Sequence, residues 1–244
     1  FIVDVSGSMD GFPIEVSKKL ITSILSGLKE EDKFNILLFA GSSEQYADEL
    51  IPATKSNVGR AIRFINDQNG SGGTEILPAL ERSLNMIKDK GRSSTVVIAT
   101  DGLVTVEREA IALIEDNLGK ANFFPFGIGK SSNRYIIEAL ANAGMSESFI
   151  CTSENEALKK AAEFKEMVTN PVLTDIKVNF NGMKTYDVLP KNVPDLFGDK
   201  PLVVFGKYTS ATNGQITVKG KNANGKFEQE FDVKEGEKKN ENGA

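Results

Sequence analysis

The run Thr95-Val96-Val97-Ile98-Ala99-Thr100-Asp101-Gly102 decides the fold. Its first six residues are β-branched or apolar without the polar alternation of a half-exposed strand, so they read as a strand buried on both faces. Asp101-Gly102 is a turn signal that ends it. Working outward, the same grammar recurs. Phe1 to Val5 is a short apolar strand, and Pro13 to Leu28 carries apolar residues at helical spacing (Ile14, Leu20, Ile21, Ile24, Leu25, Leu28), with Pro13 suited to a first helical turn. Phe34 to Ala40 (FNILLFA) is a second all-apolar strand candidate, followed by an edge strand over Glu44 to Leu50. Ser56 is placed to cap a helix running to Asp67, and Glu75 to Lys90 forms the next helix. Downstream come a helix over Glu107 to Leu118, a strand over Asn122 to Ile128, a helix over Asn133 to Ala143, a strand over Phe149 to Thr152 and a helix capped by Ser153. Strands alternating with helices predict an α/β fold: a doubly wound, mostly parallel, Rossmann-like sheet covered on both faces.

After Pro171 the pattern changes. Thr174 to Phe180, Thr185 to Leu189, Leu202 to Tyr208, Gln215 to Lys221 and Lys226 to Val233 are β-rich, separated by Asn181-Gly182, Asn213-Gly214 and Asn224-Gly225. This predicts a small C-terminal antiparallel β module of about five strands. The domain reading is therefore an α/β domain over 1–168, a β-rich module over 169–233 and a polar, disordered tail over 234–244. Phe1 to Val5 reads as a strand already under way, which predicts that the chain is a fragment of a longer protein. The β module is then either independent or half of a sandwich that the upstream chain completes.

Composition narrows the chemistry. In 244 residues there is no histidine and one cysteine, which removes Ser-His-Asp and Cys-His catalysis, histidine metal ligands and cysteine zinc clusters. A formal net charge of −5, with no strong basic excess on either side of Pro171, argues against nucleic acid as a partner. No apolar run approaches the roughly 18 residues of a membrane span. The single thiol, Cys151, ends an apolar strand and reads as a structural residue.

Three segments carry the chemistry, and each follows or adjoins a strand end: Asp4-Val5-Ser6-Gly7-Ser8-Met9, Gly70-Ser71-Gly72-Gly73-Thr74, and Ala99-Thr100-Asp101-Gly102. In a doubly wound sheet, ligands bind beyond the carboxyl ends of the strands where strand order reverses. If the strands ending at Asp4 and Asp101 are central neighbours, both carboxylates stand at that point. Two carboxylates and the hydroxyls of Ser6, Ser8 and Thr74 suit a hard divalent cation, Mg²⁺ foremost, with Mn²⁺ or Ca²⁺ as substitutes. Two aspartates only neutralise a +2 ion, leaving it able to accept a carboxylate from outside. The glycine tract is no P-loop, since no Gly-Lys-Ser/Thr follows it.

Asp4-x-Ser6-x-Ser8, Thr74 and Asp101-Gly102, in that order, resemble the metal-ion-dependent adhesion site of the von Willebrand factor type A family. FIVDVSGSM, DKFNILLF, GGTEILPAL, VVIATDG and FPFGIGKSSNRYIIEALA are similar to runs of the inter-alpha-trypsin inhibitor heavy-chain subfamily, as are MVTNPVLTDIKVNF and VPDLFGDKPLVVFGKY beyond the α/β domain. The resemblance implies that Ser6 and Ser8 bind the metal directly, that Thr74 does so in the ligand-bound state, and that Asp4 and Asp101 act mainly through water. It implies a non-enzymatic binding module whose protein partner presents an Asp or Glu carboxylate, located outside the cytoplasm, secreted or at a bacterial cell envelope. Gly11 and Phe12 stand where integrin β chains carry extra acids, so no second metal is expected. Two other readings compete. One is a metal-free scaffold domain of an envelope protein. The other is a phosphohydrolase of the haloacid-dehalogenase kind, which needs a second acid two residues after Asp4, where this chain has Ser6.

Overall fold

The computed structural model describes residues 1–88, 92–103, 107–169, 171–198, 200–209 and 214–233. The chain divides into two compact units, Phe1–Asn170 and Pro171–Ala244. The first holds β1 (Ile2–Asp4), a 3₁₀ turn (Gly7–Met9), α1 (Phe12–Leu25), β2 (Lys33–Phe34), β3 (Leu37–Phe39), β4 (Ser43–Gln45) and β5 (Ile51–Pro52). It continues with α2 (Lys55–Asn66), α3 (Leu77–Met86), β6 (Thr95–Thr100), α4 (Glu107–Asp116), β7 (Asn122–Ile128), α5 (Arg134–Ala143), β8 (Phe149–Cys151) and α6 (Glu154–Thr169).

Six strands form one sheet in the order β4-β3-β1-β6-β7-β8. All its pairings are parallel except that of edge strand β4 with β3. Strand order reverses between β1 and β6, so the doubly wound architecture holds and the switch point lies where β1 ends at Asp4 and β6 ends before Asp101. One face of the sheet (Ile2, Leu37, Phe39, Val96, Ile98, Phe123) buries against Leu80 and Leu84 of α3, Ile114 of α4 and Ile136 and Leu140 of α5. On α6, Phe164 meets Phe124, Phe126 and Phe149 of β7 and β8, with centroid separations of 5.2, 5.4 and 6.1 Å. α1 packs against α6.

Several elements differ from the sequence reading for local reasons. FNILLFA is not one strand. Lys33–Phe34 pairs with Ile51–Pro52, and the central sheet begins again at Leu37. Asn35 makes the break: its Nδ2 donates to the carbonyls of Ala47 (2.6 Å) and Glu49 (3.1 Å), and its Oδ1 accepts from the amides of Ile36 (2.8 Å) and Ala47 (3.1 Å). A buried side chain that satisfies so many backbone groups replaces the strand ladder there. Of the expected edge strand over Glu44 to Leu50, only Glu44 and Gln45 are in a strand, β4; β5 begins beyond it at Ile51. The cap of α2 is Thr54, not Ser56, its hydroxyl accepting from the Asn57 amide at 3.2 Å. α1 stops at Leu25, because the chain tightens into i→i−3 bonds at Gly27 and Leu28. α3 starts at Leu77, two residues later than expected, and the Glu75 amide bonds the carbonyl of Ala40. Its C-cap, Ile87, is already extended, and the helix expected to continue to Lys90 reaches residues outside those described.

The second unit holds β9 (Pro171–Asn181), β10 (Thr185–Leu189), β11 (Leu196–Phe197), β12 (Phe205–Tyr208), β13 (Gly214–Asn222) and β14 (Gly225–Val233). They form an antiparallel sheet β11-β9-β13-β14 and a two-stranded antiparallel ribbon β10-β12. β11 is the strand the sequence did not reveal. At Asn224-Gly225 the β13–β14 hairpin closes with Gly225 at φ 107°, a conformation open to glycine. Among its described residues the unit buries only Leu173, Ile176 and Phe197 as large apolar side chains. Tyr186, Leu189, Phe205, Tyr208 and Phe231 are exposed. Residues 234–244, expected to be a disordered tail, and Asn213 lie outside the described residues.

Candidate metal site

β1 delivers Asp4 to the switch point with no exposed surface. Both its oxygens are engaged: Oδ1 accepts from the Ser6 amide at 2.9 Å, and Oδ2 accepts from the Thr100 hydroxyl at 2.6 Å. Thr100 in turn accepts from the Gly102 amide at 3.0 Å. The last residue of β6 thus ties the first and third loops together. Asp101 is also buried. Its Oδ1 accepts from the Leu103 amide (3.0 Å), and its carbonyl accepts from the Asn133 amide (2.7 Å), which draws in the loop before α5.

Ser6 and Ser8 flank the start of the 3₁₀ turn. The turn is closed by the Met9 amide on the Ser6 carbonyl (3.0 Å) and anchored by the buried Met9 side chain. It sets the Ser6 and Ser8 hydroxyl oxygens 3.2 Å apart, Ser6 buried and Ser8 exposed. Two hydroxyls two residues apart therefore point to one place.

The glycine loop is laid against this turn. The Ser71 amide donates to the Val5 carbonyl (2.8 Å), the Gly7 amide to the Gly72 carbonyl (3.0 Å) and the Glu75 amide to the Ala40 carbonyl (2.9 Å). A Cβ on Gly70 would lie 2.6 Å from Asp10 Cα, 2.8 Å from the Ser6 carbonyl oxygen and closer still to the Asp10 amide nitrogen. Only glycine lets the two loops approach so closely. Thr74 is half-buried between Gly72 and Glu75, the two residues whose backbones tie this loop to the first loop and to the end of β3.

Electrostatics follow from this geometry. Burial pushes the Asp4 carboxyl above the usual carboxylate range; bonds from Ser6 and Thr100 pull it back, and the charge of Asp101 pushes it up again. Among the described residues no ion pair reaches Asp4 or Asp101. The neighbourhood holds two buried acids and several hydroxyls, all oxygen donors, with no cation set against them.

Asp4, Ser6 and Ser8 are therefore held together, and Asp101 stands near enough for its charge to act on Asp4. Thr74 is brought in through its loop backbone. Sequence reasoning placed Thr100 and Gly70 within the site's segments but gave Thr100 no role and did not single out Gly70 as the point of closest approach. The hydroxyl directly before Asp101 was the available signal for Thr100, while nothing in the spacing set Gly70 apart from Gly72 and Gly73.

Comparison with known proteins agrees with this architecture. The chain is 30% identical over 258 aligned residues to inter-alpha-trypsin inhibitor heavy chain H3 of Bos taurus, an alignment that covers 98% of this chain and 29% of that protein. It thus spans about 29% of the length of that curated relative. Among solved structures, a von Willebrand factor type A protein from Catenulispora acidiphila superposes with a TM-score of 0.69 at 16% identity, covering 96% of this chain and 65% of that one. An aerotolerance-related membrane protein from Bacteroides fragilis superposes with a TM-score of 0.56 at 19% identity, covering 66% of this chain and 94% of that one. Residues 1–145, which carry the switch point and all three loops, match the family model of the von Willebrand factor type A domain, and the chain belongs to that family.

Proposed function

We propose that the α/β unit is a metal-dependent protein-binding module rather than an enzyme. Members of its family commonly mediate protein–protein interaction. The observation that carries the finer reading is the uncompensated pair of buried acids, Asp4 and Asp101, beside the paired hydroxyls of Ser6 and Ser8. That donor set fits a hard cation: all oxygen, two negative charges, and small side chains on turns fixed by backbone bonds. Ser6, Ser8 and Thr74 would hold Mg²⁺, with Mn²⁺ or Ca²⁺ as substitutes, and Asp4 and Asp101 would neutralise it. The bound ion supplies an electrophilic position for an Asp or Glu carboxylate of a partner. Asp4 orients the Ser6 backbone through its Oδ1 and is itself oriented by Thr100 through its Oδ2, so the hydroxyl pair is preorganised from within the sheet.

The lack of a histidine and of a paired acid just after Asp4 supports the non-enzymatic reading. The chain has no histidine, and the position two residues after Asp4 is Ser6. A setting outside the cytoplasm, secreted or at a cell envelope, goes with this reading and rests on the family resemblance. An upstream domain of the same protein belongs to the proposal too and rests on the heavy-chain resemblance.

The test is capture of a partner from native extract on the immobilised chain, with Mg²⁺ and with EDTA, against Asp4→Ala and Asp101→Ala. A protein retained by the wild type in Mg²⁺, released by EDTA and not retained by either variant supports the reading. Retention indifferent to metal and to both substitutions would replace it with the metal-free scaffold.

A further inference from the structure

Large apolar side chains are exposed unevenly over the α/β unit. Among its described residues, Phe12, Leu103 and Tyr135 are 50%, 55% and 75% exposed, against 39% and 40% for Met145 and Leu158. These three are separated in sequence but belong to the loops that build the candidate site. Phe12 opens α1, directly after the Ser6–Ser8 turn. Leu103 follows Asp101-Gly102 and gives its amide to Asp101. Tyr135 is two residues past Asn133, whose amide binds the Asp101 carbonyl and whose backbone packs on Gly102. The loop that leads to Tyr135 also touches α1, since a Cβ on Gly129 would lie 3.4 Å from the Pro13 side chain. Three apolar groups thus rim one edge of the sheet around two buried acids. Exposure there runs against the hydrophobic effect, which has left the rest of this unit's apolar side chains largely buried.

Charged side chains stand near the same segments. Lys130 and Arg134, both exposed and without an ion pair among the described residues, lie in the loop after β7 and at the start of α5, next to Tyr135. Asp10 and Glu75, both exposed, lie in the first loop and just after the glycine loop.

We propose that Phe12, Leu103 and Tyr135 read the residues flanking the incoming carboxylate, so that the partner presents a short exposed segment in which an acidic residue is bracketed by apolar ones. This rests on the metal-dependent reading above. Lys130 and Arg134, next to Tyr135, favour a further acid beside the apolar residue that Tyr135 meets. The ion would supply affinity for any carboxylate, and the rim would supply selection among carboxylates.

The test is selection of random peptides displayed on phage against the 244-residue chain, in Mg²⁺ and in EDTA. A parallel selection uses the double variant Leu103→Ser with Tyr135→Ser, whose fold is checked by circular dichroism. The wild type is expected to enrich peptides with Asp or Glu beside Leu, Ile, Phe or Met, and EDTA to remove them. The double variant should keep the acid but lose the apolar neighbour, and bind a synthetic wild-type-selected peptide at least about tenfold more weakly. Tyr135→Phe alone should preserve selection. Metal-dependent acidic peptides with no apolar neighbour would overturn the rim and leave the metal reading standing. EDTA-insensitive apolar peptides lacking an acid would overturn the metal reading and the proposal with it. Enrichment of nothing above background would also overturn the proposal.

Discussion

Substituting Gly70 with alanine tests the way the three loops are assembled. The added methyl carbon would stand 2.6 Å from Asp10 Cα, 2.8 Å from the Ser6 carbonyl oxygen and nearer still to the Asp10 amide nitrogen. All three are backbone atoms, so no side-chain rotation relieves the clash; one loop must move. Overpacking of this kind costs about 1–3 kcal/mol. For a unit of this size each kcal/mol lowers Tm by about 2–4 °C, giving an expected loss of about 2–12 °C. The displacement also draws Thr74 away from the Ser6–Ser8 pair, because the Ser71–Val5 and Gly7–Gly72 hydrogen bonds hold the same loop. Mg²⁺ affinity should therefore fall by more than the stability loss alone accounts for, by about tenfold or more. The matched control is Gly59→Ala in α2, where an added Cβ meets nothing within 4 Å and which should stabilise by about 0.5–1 kcal/mol. Thermal melts and calorimetric Mg²⁺ titrations of the three proteins suffice. A Gly70→Ala protein that melts with the wild type and binds Mg²⁺ equally would refute the close approach of the loops.

Other expectations follow from the core. Phe164→Ala removes the ring that meets Phe124, Phe126 and Phe149, and should cost about 3–5 kcal/mol in urea-denaturation experiments. Asn35→Ala orphans the Ala47 and Glu49 carbonyls and the Ala47 amide, and should destabilise by about 2–4 kcal/mol, whereas Asn35→Asp should retain only the amide-accepting half. Burial, reinforced by the nearby Glu156 charge, pushes the Cys151 thiol from its ordinary value near 9.0 up to about 12. It should resist maleimide at pH 8 in the folded chain and react at once in urea. Because the folded value is the higher one, this thiol's contribution to stability is intact below pH 9 and is lost between pH 9 and about 12, measurable as a flattening of the alkaline decline in Cys151→Ala.

What could be read in the sequence, and what could not, has a physical basis. TVVIAT and NFFPFGI became β6 and β7 with the expected bounds because strands buried on both faces carry apolar residues at every position. FNILLFA looked the same, but Asn35 lies within it, and a buried amide can serve backbone groups of a distant loop as readily as it can be tolerated in a strand. Two hydroxyl residues competed to cap α2, and Thr54 does so because the chain leaves β5 only two residues earlier. Leu196–Phe197 is too short for any period to show. At the site, Asp4, Ser6 and Ser8 sit close enough in sequence for spacing to group them, whereas Asp101 is joined to them by the order of strands in the sheet and Thr74 by backbone hydrogen bonds of its loop to Val5 and Gly7. The role of Thr100 was not legible because its bond to Asp4 crosses between neighbouring strands, where no local pattern reports it.

The central claim is that the oxygens at the switch point take up a divalent ion, and titration of Mg²⁺ into the chelator-treated chain measures it directly. The account predicts a single saturable site that raises Tm with increasing Mg²⁺, as a ligand selective for the folded state must, and whose heat and thermal shift both vanish in Asp4→Ala and in Asp101→Ala. A wild-type chain with no saturable heat and no thermal shift, or variants that bind Mg²⁺ as the wild type does, would contradict it.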